Sequence, residues 1–261
     1  MSSASRGKFC WYELMTSDPE SAKSFYGKVM GWGFEEAAGL PGVHYTRLKV
    51  GNTAMGGLLA IPEEACKQGA RPAWTGYIQV DDVDAYADRI KAMGGKVHKA
   101  SADIPGVGRF AMMADPQGAH FVLFKPADGF KREPVPFMTP GHGAWHELHA
   151  ADAKAAFAFY ADLFGWTKGE AFEMGPAGTY QLFATGENPV GGMVNKETDS
   201  PTPFWLYYFA AENIDAAMKR VSDAGGKVLN GPAEVPGGAW IIQCLDPQGA
   251  MFAIVAPPGR A

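Results

Sequence analysis

Cysteine is scarce: the 261-residue chain has three, Cys10, Cys66 and Cys244, and none belongs to a CxxC pair. That excludes a disulfide scaffold, and free thiols in a reducing cytoplasm are expected. Long apolar runs are lacking too. No stretch approaches the roughly 18 residues a spanning helix needs, so no membrane partner is expected. The first residues, MSSASRGKFCW, carry no apolar segment of the signal-peptide kind, which again points to a cytoplasmic location. Positive charge is in deficit: 23 Lys and Arg against 28 Asp and Glu leave a net charge of −5. Neutralising phosphates takes a basic face, so nucleic acid is excluded as a partner. GxGxxG and Walker spacings are missing, and no Ser-His-Asp or Cys-His arrangement is supported by a motif. What is present is the composition of a folded chain, 47% hydrophobic and 20% charged.

The chain repeats itself. At an offset of 134, Trp11, Glu13, Leu14, Asp18, Ala22, Phe25, Tyr26, Gly31 and Trp32 fall on identical residues, nine matches in 22 ungapped positions. At 135, Tyr45 meets Tyr180 and Gly56-Gly57 meets Gly191-Gly192. At 131, Trp74 meets Trp205, Gly94–Val97 meets Gly225–Val228, and Asp115-Pro116-Gln117-Gly118-Ala119 meets Asp246–Ala250. Two homologous domains are expected, 1–128 and 141–261, joined by a linker at 129–140 containing KREPVPFMTP.

Each half contains the same helix template twice. Asp18, Asp82, Asp152 and Asn213 are N-cap residue types. The apolar stripes behind them are Ala22-Phe25-Tyr26-Val29, Val83-Tyr86-Ala87-Ile90, Ala156-Phe159-Tyr160-Leu163 and Ile214-Ala217-Met218-Val221, the spacing of one helix face. Glycines close all four. Strands are expected before each helix at Phe9–Met15, Thr75–Val80, Ala144–His149 and Trp205–Phe209. Hairpins are expected at Arg109–Met113 with His120–Phe124 and at Trp240–Leu245 with Met251–Val255, each turning through DPQG. The fold class is therefore α+β, built of four βαβββ units.

The Asp-capped helix with Phe-Tyr, the Gly-Trp stop and the DPQG hairpin resemble the vicinal-oxygen-chelate superfamily, which includes glyoxalase I, bleomycin and fosfomycin resistance proteins and extradiol dioxygenases. The resemblance covers Trp11–Lys125 and Trp145–Pro257, and is greatest to two-domain proteins labelled glyoxalase/bleomycin resistance protein. It implies two tandem domains with curled mixed sheets around clefts. It also implies where metal ligands would stand: seven residues before each capping residue (Trp11, Thr75, Trp145, Leu206) and seven after the DPQG aspartate (Val122, Ala253). None is the usual His or Glu. No cofactor is expected, with a divalent metal as the alternative.

Side chains alternate faces along a strand. If the ligand-type positions face the clefts, Glu13 and Met15 follow Trp11, Tyr77 and Gln79 follow Thr75, Glu147 and His149 follow Trp145, and Tyr208 follows Leu206. His120 shares the face of Val122. The candidate catalytic residues are Glu13, His120, Glu147 and His149; the candidate ligand contacts are Trp11, Tyr77, Gln79, Trp145 and Tyr208. A desolvated carboxylate is prepared as a base for proton abstraction beside a carbonyl, with His120 as partner to Glu13. The competing view makes each Glu a structural group held by a neighbouring strand, indole or Arg. His142, His146, Glu147 and His149 look like a metal cluster, but HEXXH zinc sites need two His four apart on a helix; parity on a strand turns His146 away from Glu147 and His149. Arg109, which has no counterpart in the second half, is either an anion contact or a strand-end surface group. The function expected is small-molecule binding, with metal-independent lyase or isomerase chemistry on an oxygenated compound. The alternatives are sequestration without turnover and a metal enzyme with an unusual ligand set. A monomer or homodimer is expected.

Overall fold

The computed structural model describes residues 6–37, 42–128, 135–175, 178–197 and 202–259. The first six residues of the expected linker, 129–134, lie outside them. Four modules repeat one order of elements. The first is β1 (Phe9–Thr16), α1 (Pro19–Met30), β2 (Gly33–Ala37), β3 (Tyr45–Val50) and β4 (Thr53–Ala60). A short helix, α2 (Glu63–Lys67), precedes the second: β5 (Ala73–Gln79), α3 (Val83–Ala92), β6 (Lys96–Ile104), β7 (Gly108–Ala114) and β8 (His120–Pro126). The third is β9 (Gly143–Ala150), α4 (Ala153–Phe164), β10 (Thr167–Glu173), β11 (Thr179–Ala184) and β12 (Pro189–Asn195). The fourth is β13 (Phe204–Ala210), α5 (Ile214–Asp223), β14 (Lys227–Glu234), β15 (Trp240–Leu245) and β16 (Met251–Ala256).

Each main helix begins where a short polar side chain satisfies an orphan N–H. Asp18, Asp82 and Asp152 accept from Ser21, Ala85 and Ala155 N at 3.0 Å, and Asn213 accepts from Ala216 N at 2.8 Å. Gly31 and Gly165 end α1 and α4 in the left-handed region, at φ 70° and 75°, where a Cβ would be strained. The apolar stripes are buried as their spacing requires, apart from the half-buried Tyr86 and Met218.

The strands form two eight-stranded mixed sheets, ordered β2-β3-β4-β1-β5-β8-β7-β6 and β10-β11-β12-β9-β13-β16-β15-β14, and neither is closed. The fold is α+β with two tandem domains of four-strand modules. In compactness the chain divides into two units. Of the described residues, the first gathers 6–10, 75–128, 146–175, 178–197 and 202–206; the second gathers 11–37, 42–74, 135–145 and 207–259.

Both units are built around the same buried relay. In the first, Asp115 Oδ1 accepts from Gln117 N at 2.8 Å and Ala119 N at 2.9 Å, while Asp115 O accepts from Gly118 N. This is the DPQG turn. Asp115 Oδ2 accepts from the Tyr160 hydroxyl at 3.0 Å, and Tyr160 accepts from Trp205 Nε1 at 3.1 Å. In the second, Asp246 Oδ2 accepts from Tyr26 at 3.1 Å and Tyr26 accepts from Trp74 Nε1 at 2.9 Å. Burial raises the pKa of both aspartates against the lowering effect of their hydrogen bonds, and raises Tyr26 well above the usual phenol. The four motif residues of the repeat (Asp, Phe-Tyr, Trp) are therefore core. Cys244 is buried, and that burial pushes its thiol up to about 12. Cys10 and Cys66 are half-buried and form no disulfide. Among the described residues no helix is long and apolar enough to cross a membrane.

Candidate functional site

In the first unit, strand parity on β9 places Glu147 and His149 together. His149 Nε2 lies 2.8 Å from Glu147 Oε1. Glu147 is 7% exposed, so its charge is held almost wholly out of water. Buried carboxylates need compensating donors, and the second comes from β11: the Tyr180 hydroxyl donates to Glu147 Oε2 at 2.8 Å. Glycine makes that reach possible. Gly192 is the register partner of Glu147 across the parallel β9–β12 pair. A Cβ on Gly192 would stand 2.1 Å from Tyr180 Cε1, so the ring lies where a side chain would have been. The His149 ring is stacked on Phe204, centroids 4.6 Å apart and 4° from parallel.

The second unit contains the duplicate. Glu13 is half-buried on β1 and is the register partner of Gly57. A Cβ on Gly57 would collide with the Tyr45 hydroxyl at 1.8 Å. Tyr45 accepts from Trp11 Nε1 at 2.9 Å and is hydrogen-bonded to Glu13. An indole N–H can only donate, so the phenolic proton is directed at the carboxylate. Burial, then the Glu13 charge, holds the Tyr45 pKa well above its usual value. At the position equivalent to His149 stands Met15. The two acids are not turned into bulk water; each is held by a tyrosine from the neighbouring strand hairpin.

The other histidines separate. His146 Nδ1 bonds Val190 O at 2.7 Å, and its ring stacks on Phe9 at 4.0 Å and 8°. Burial lowers its pKa to about 4, so it is a neutral core residue. His142 Nδ1 lies 3.2 Å from Pro140 O, in the second unit. The apparent His-Glu-His cluster of the sequence is thus divided by strand alternation. His120 is in the first unit, exposed at the start of β8, with the His98 ring 4.3 Å away. Partial desolvation and His98 lower its pKa. Glu13 belongs to the second unit, where Tyr45 is hydrogen-bonded to it. Arg109 binds Asp84 at 2.9 and 3.1 Å and Asp103 at 3.0 Å, and so is a strap between β7, α3 and β6.

Tyr77 is buried in register with Val122, which is also opposite Met112; Gln79 is half-buried, opposite Phe124. Tyr208 is buried and accepts from Gln243 Nε2 at 2.9 Å, and Ala253 is register partner to both. That hydrogen bond spans the position where the family resemblance puts a carboxylate ligand. Trp145 is half-buried. Indole, leucine, valine and alanine are not metal donors, and the Thr75 hydroxyl alone does not make a site, so the residues at the carried-over positions do not fit a resident divalent metal. Among the described residues no group of three or more His, Cys, Asp or Glu side chains is arranged to hold one.

Tyr45, Tyr180, Phe204, Gln243 and His98 were not singled out as site residues from sequence. For the tyrosines a signal existed: Tyr45 and Tyr180 repeat in step with the two Gly-Gly pairs.

A family model described as the Glyoxalase/Bleomycin resistance protein/Dioxygenase superfamily matches residues 8–123 and 142–254. "Putative glyoxylase CFP32" of Mycobacterium tuberculosis (strain CDC 1551 / Oshkosh) is 32% identical over 249 residues, covering 95% of this chain and 94% of that one. The "Anthracycline biosynthesis protein DnrV" of Streptomyces peucetius is 28% identical over 260 residues, with 95% and 93% covered. Among solved structures, an Mn(II)-bound glyoxalase from Novosphingobium aromaticivorans superposes with TM-score 0.68 at 17% identity, over 96% of this chain and 82% of that one. The 2,3-dioxygenase LapB of Pseudomonas sp. KL28 superposes with TM-score 0.68 at 12% identity, over 98% and 95%. At these identities the structural likeness concerns the fold.

Proposed function

Since the chain belongs to the Glyoxalase/Bleomycin resistance protein/Dioxygenase superfamily, we propose that it binds a small oxygenated molecule and that the Glu147 cluster moves a proton on it without a metal. The observation that carries this reading is a carboxylate only 7% exposed, bonded on one oxygen by His149 and on the other by Tyr180. Such a group is costly unless fully compensated. Its pairing with a half-buried imidazole in place of a core contact is the arrangement acid–base chemistry uses. The chemistry at the family's ligand positions supports a metal-independent route. A relative named for anthracycline biosynthesis makes aromatic, carbonyl-bearing compounds a sensible part of the ligand class.

The test is a thermal-shift screen of carbonyl metabolites and anthracycline-type compounds, followed by product analysis for every hit. A hit converted by the wild type, without loss after exhaustive chelation, supports the reading. Turnover that disappears on chelation and returns with metal overturns it.

Sequestration is the second reading, and one observation favours it. The Glu13–Tyr45–Trp11 group of the second unit has an indole and an acid but Met15 where the other copy has histidine. Tight binding of hits without any product would make sequestration the function.

A further inference from the structure

Resting on the proposed proton transfer, we infer that His149 Nδ1 is the atom that accepts the proton, and that Glu147 and Tyr180 are positioning residues rather than bases. Both oxygens of Glu147 are engaged at 2.8 Å, one by Tyr180 and one by His149. An ionised carboxylate only accepts hydrogen bonds. The nitrogen facing it must therefore carry a hydrogen, and Glu147 holds His149 as the Nε2–H tautomer. In neutral imidazole the other nitrogen, Nδ1, is then a bare lone pair. No described protein group bonds Nδ1, and the side chain keeps 17% of its surface exposed. Stacking on Phe204, 4° from parallel, fixes the plane in which that lone pair lies. Tyr180 orients Glu147 through the gap at Gly192, so tautomer, plane and direction are all set before any ligand arrives.

The duplication provides an internal comparison. Both halves keep the acid, the tyrosine and the glycine beneath it; only the second half adds a histidine, opposite Met15 in the first. The shared acid–tyrosine pair is therefore a piece of sheet architecture, and the histidine is what converts one copy into a base.

The ligand class that suits this base is a carbon acid, with a C–H bond next to a carbonyl. The C–H bond breaks, its electron pair moves onto the carbonyl oxygen as an enolate, and the proton forms an N–H bond at Nδ1. The Glu147 carboxylate stabilises the resulting imidazolium, in the manner of a buried acid behind a histidine. Returning the proton to the enolate restores His149, and no oxidant or reductant enters.

Long-range ¹H–¹⁵N spectra of the ¹⁵N-labelled full chain at pH 8 test the tautomer, with the His149 signals assigned by their loss in His149→Asn. The wild type is expected to show Nε2–H and bare Nδ1. Glu147→Gln, whose amide can donate or accept, is expected to give a mixed tautomer. Diethyl pyrocarbonate, which acylates bare imidazole nitrogen, is expected to modify wild-type His149 at Nδ1 and to lose that selectivity in Glu147→Gln. A wild-type Nδ1–H tautomer, or a Glu147→Gln spectrum identical to wild type, overturns the inference. The wild-type spectrum decides even if the variant fails to fold. The outcome is separable from the proposed function. The expected tautomer with no convertible compound in the screen would count against the reaction, whereas turnover by His149→Asn would remove His149 as the base and leave the reaction standing.

Discussion

The ring of Tyr180 occupies the space over Gly192 that a side chain would fill, and from there its hydroxyl reaches Glu147 Oε2 at 2.8 Å. The same relation joins Tyr45 to Gly57 in the first half of the chain. Gly192→Ala should therefore displace the ring and break its bond to the acid. Overpacking of this kind costs about 1–3 kcal/mol, read as a lower urea midpoint with an unchanged m-value. An alanine variant as stable as wild type would show that the tyrosine can move aside freely.

The buried acid relay predicts a graded response at Asp115. Asp115→Ala leaves the N–H groups of Gln117 and Ala119 and the Tyr160 hydroxyl without their acceptor. Each such loss costs about 1–3 kcal/mol. Asp115→Asn keeps one acceptor oxygen and places a neutral amide where burial already raises the carboxyl pKa, so it should cost clearly less. Asp246 should behave alike. Denaturation curves of the four variants check this, and equal losses for Asn and Ala would contradict it.

His146 makes stability depend on acid. Its folded pKa of about 4 lies below the ordinary 6.5 because burial disfavours the charged ring. Between those values the unfolded chain binds a proton that the folded chain refuses. The contribution is thus complete above about pH 6.5, falls as pH drops towards 4, and is flat below. The full change is about 3 kcal/mol at 1.36 kcal/mol per unit. His146→Phe, which keeps the stack on Phe9 and cannot titrate, should flatten the stability-against-pH curve in this window.

Thiol chemistry distinguishes the cysteines. Burial holds the Cys244 thiol at about 12, which leaves almost no thiolate at neutral pH. Ellman's reagent should modify Cys10 and Cys66 in the native protein and Cys244 only after denaturant is added. Equal native rates for all three would mean that the last strands open readily.

Much of this molecule is legible from its amino acids because the signals are local. A capping aspartate, a 3.6-residue stripe, a left-handed glycine and a DPQG turn act within a few residues of themselves, so the helices and hairpins follow from short windows. Parity is local as well: Glu147 and His149, two apart on β9, are hydrogen-bonded, while His146, next to Glu147, bonds Val190 O. The expectation that His120 partners Glu13 drew on residues from distant parts of the chain. Within its own unit each has a neighbour from another strand, His98 beside His120 and Tyr45 beside Glu13, which no short window of sequence contains. Arg109 was undecided from sequence because nothing in a strand pattern shows that α3 brings Asp84 against it.

The amino-acid order by itself determined the fourfold module, its α+β class, its family, and the residue types at the positions where relatives place ligands. Only the tertiary structure decided what holds the two acids and which modules pack into one compact unit. The reason is register: a tyrosine on β11 meets a glutamate on β9 only when β12 lies between them with a glycine at the crossing, and that alignment exists nowhere in the chain until the strands pair.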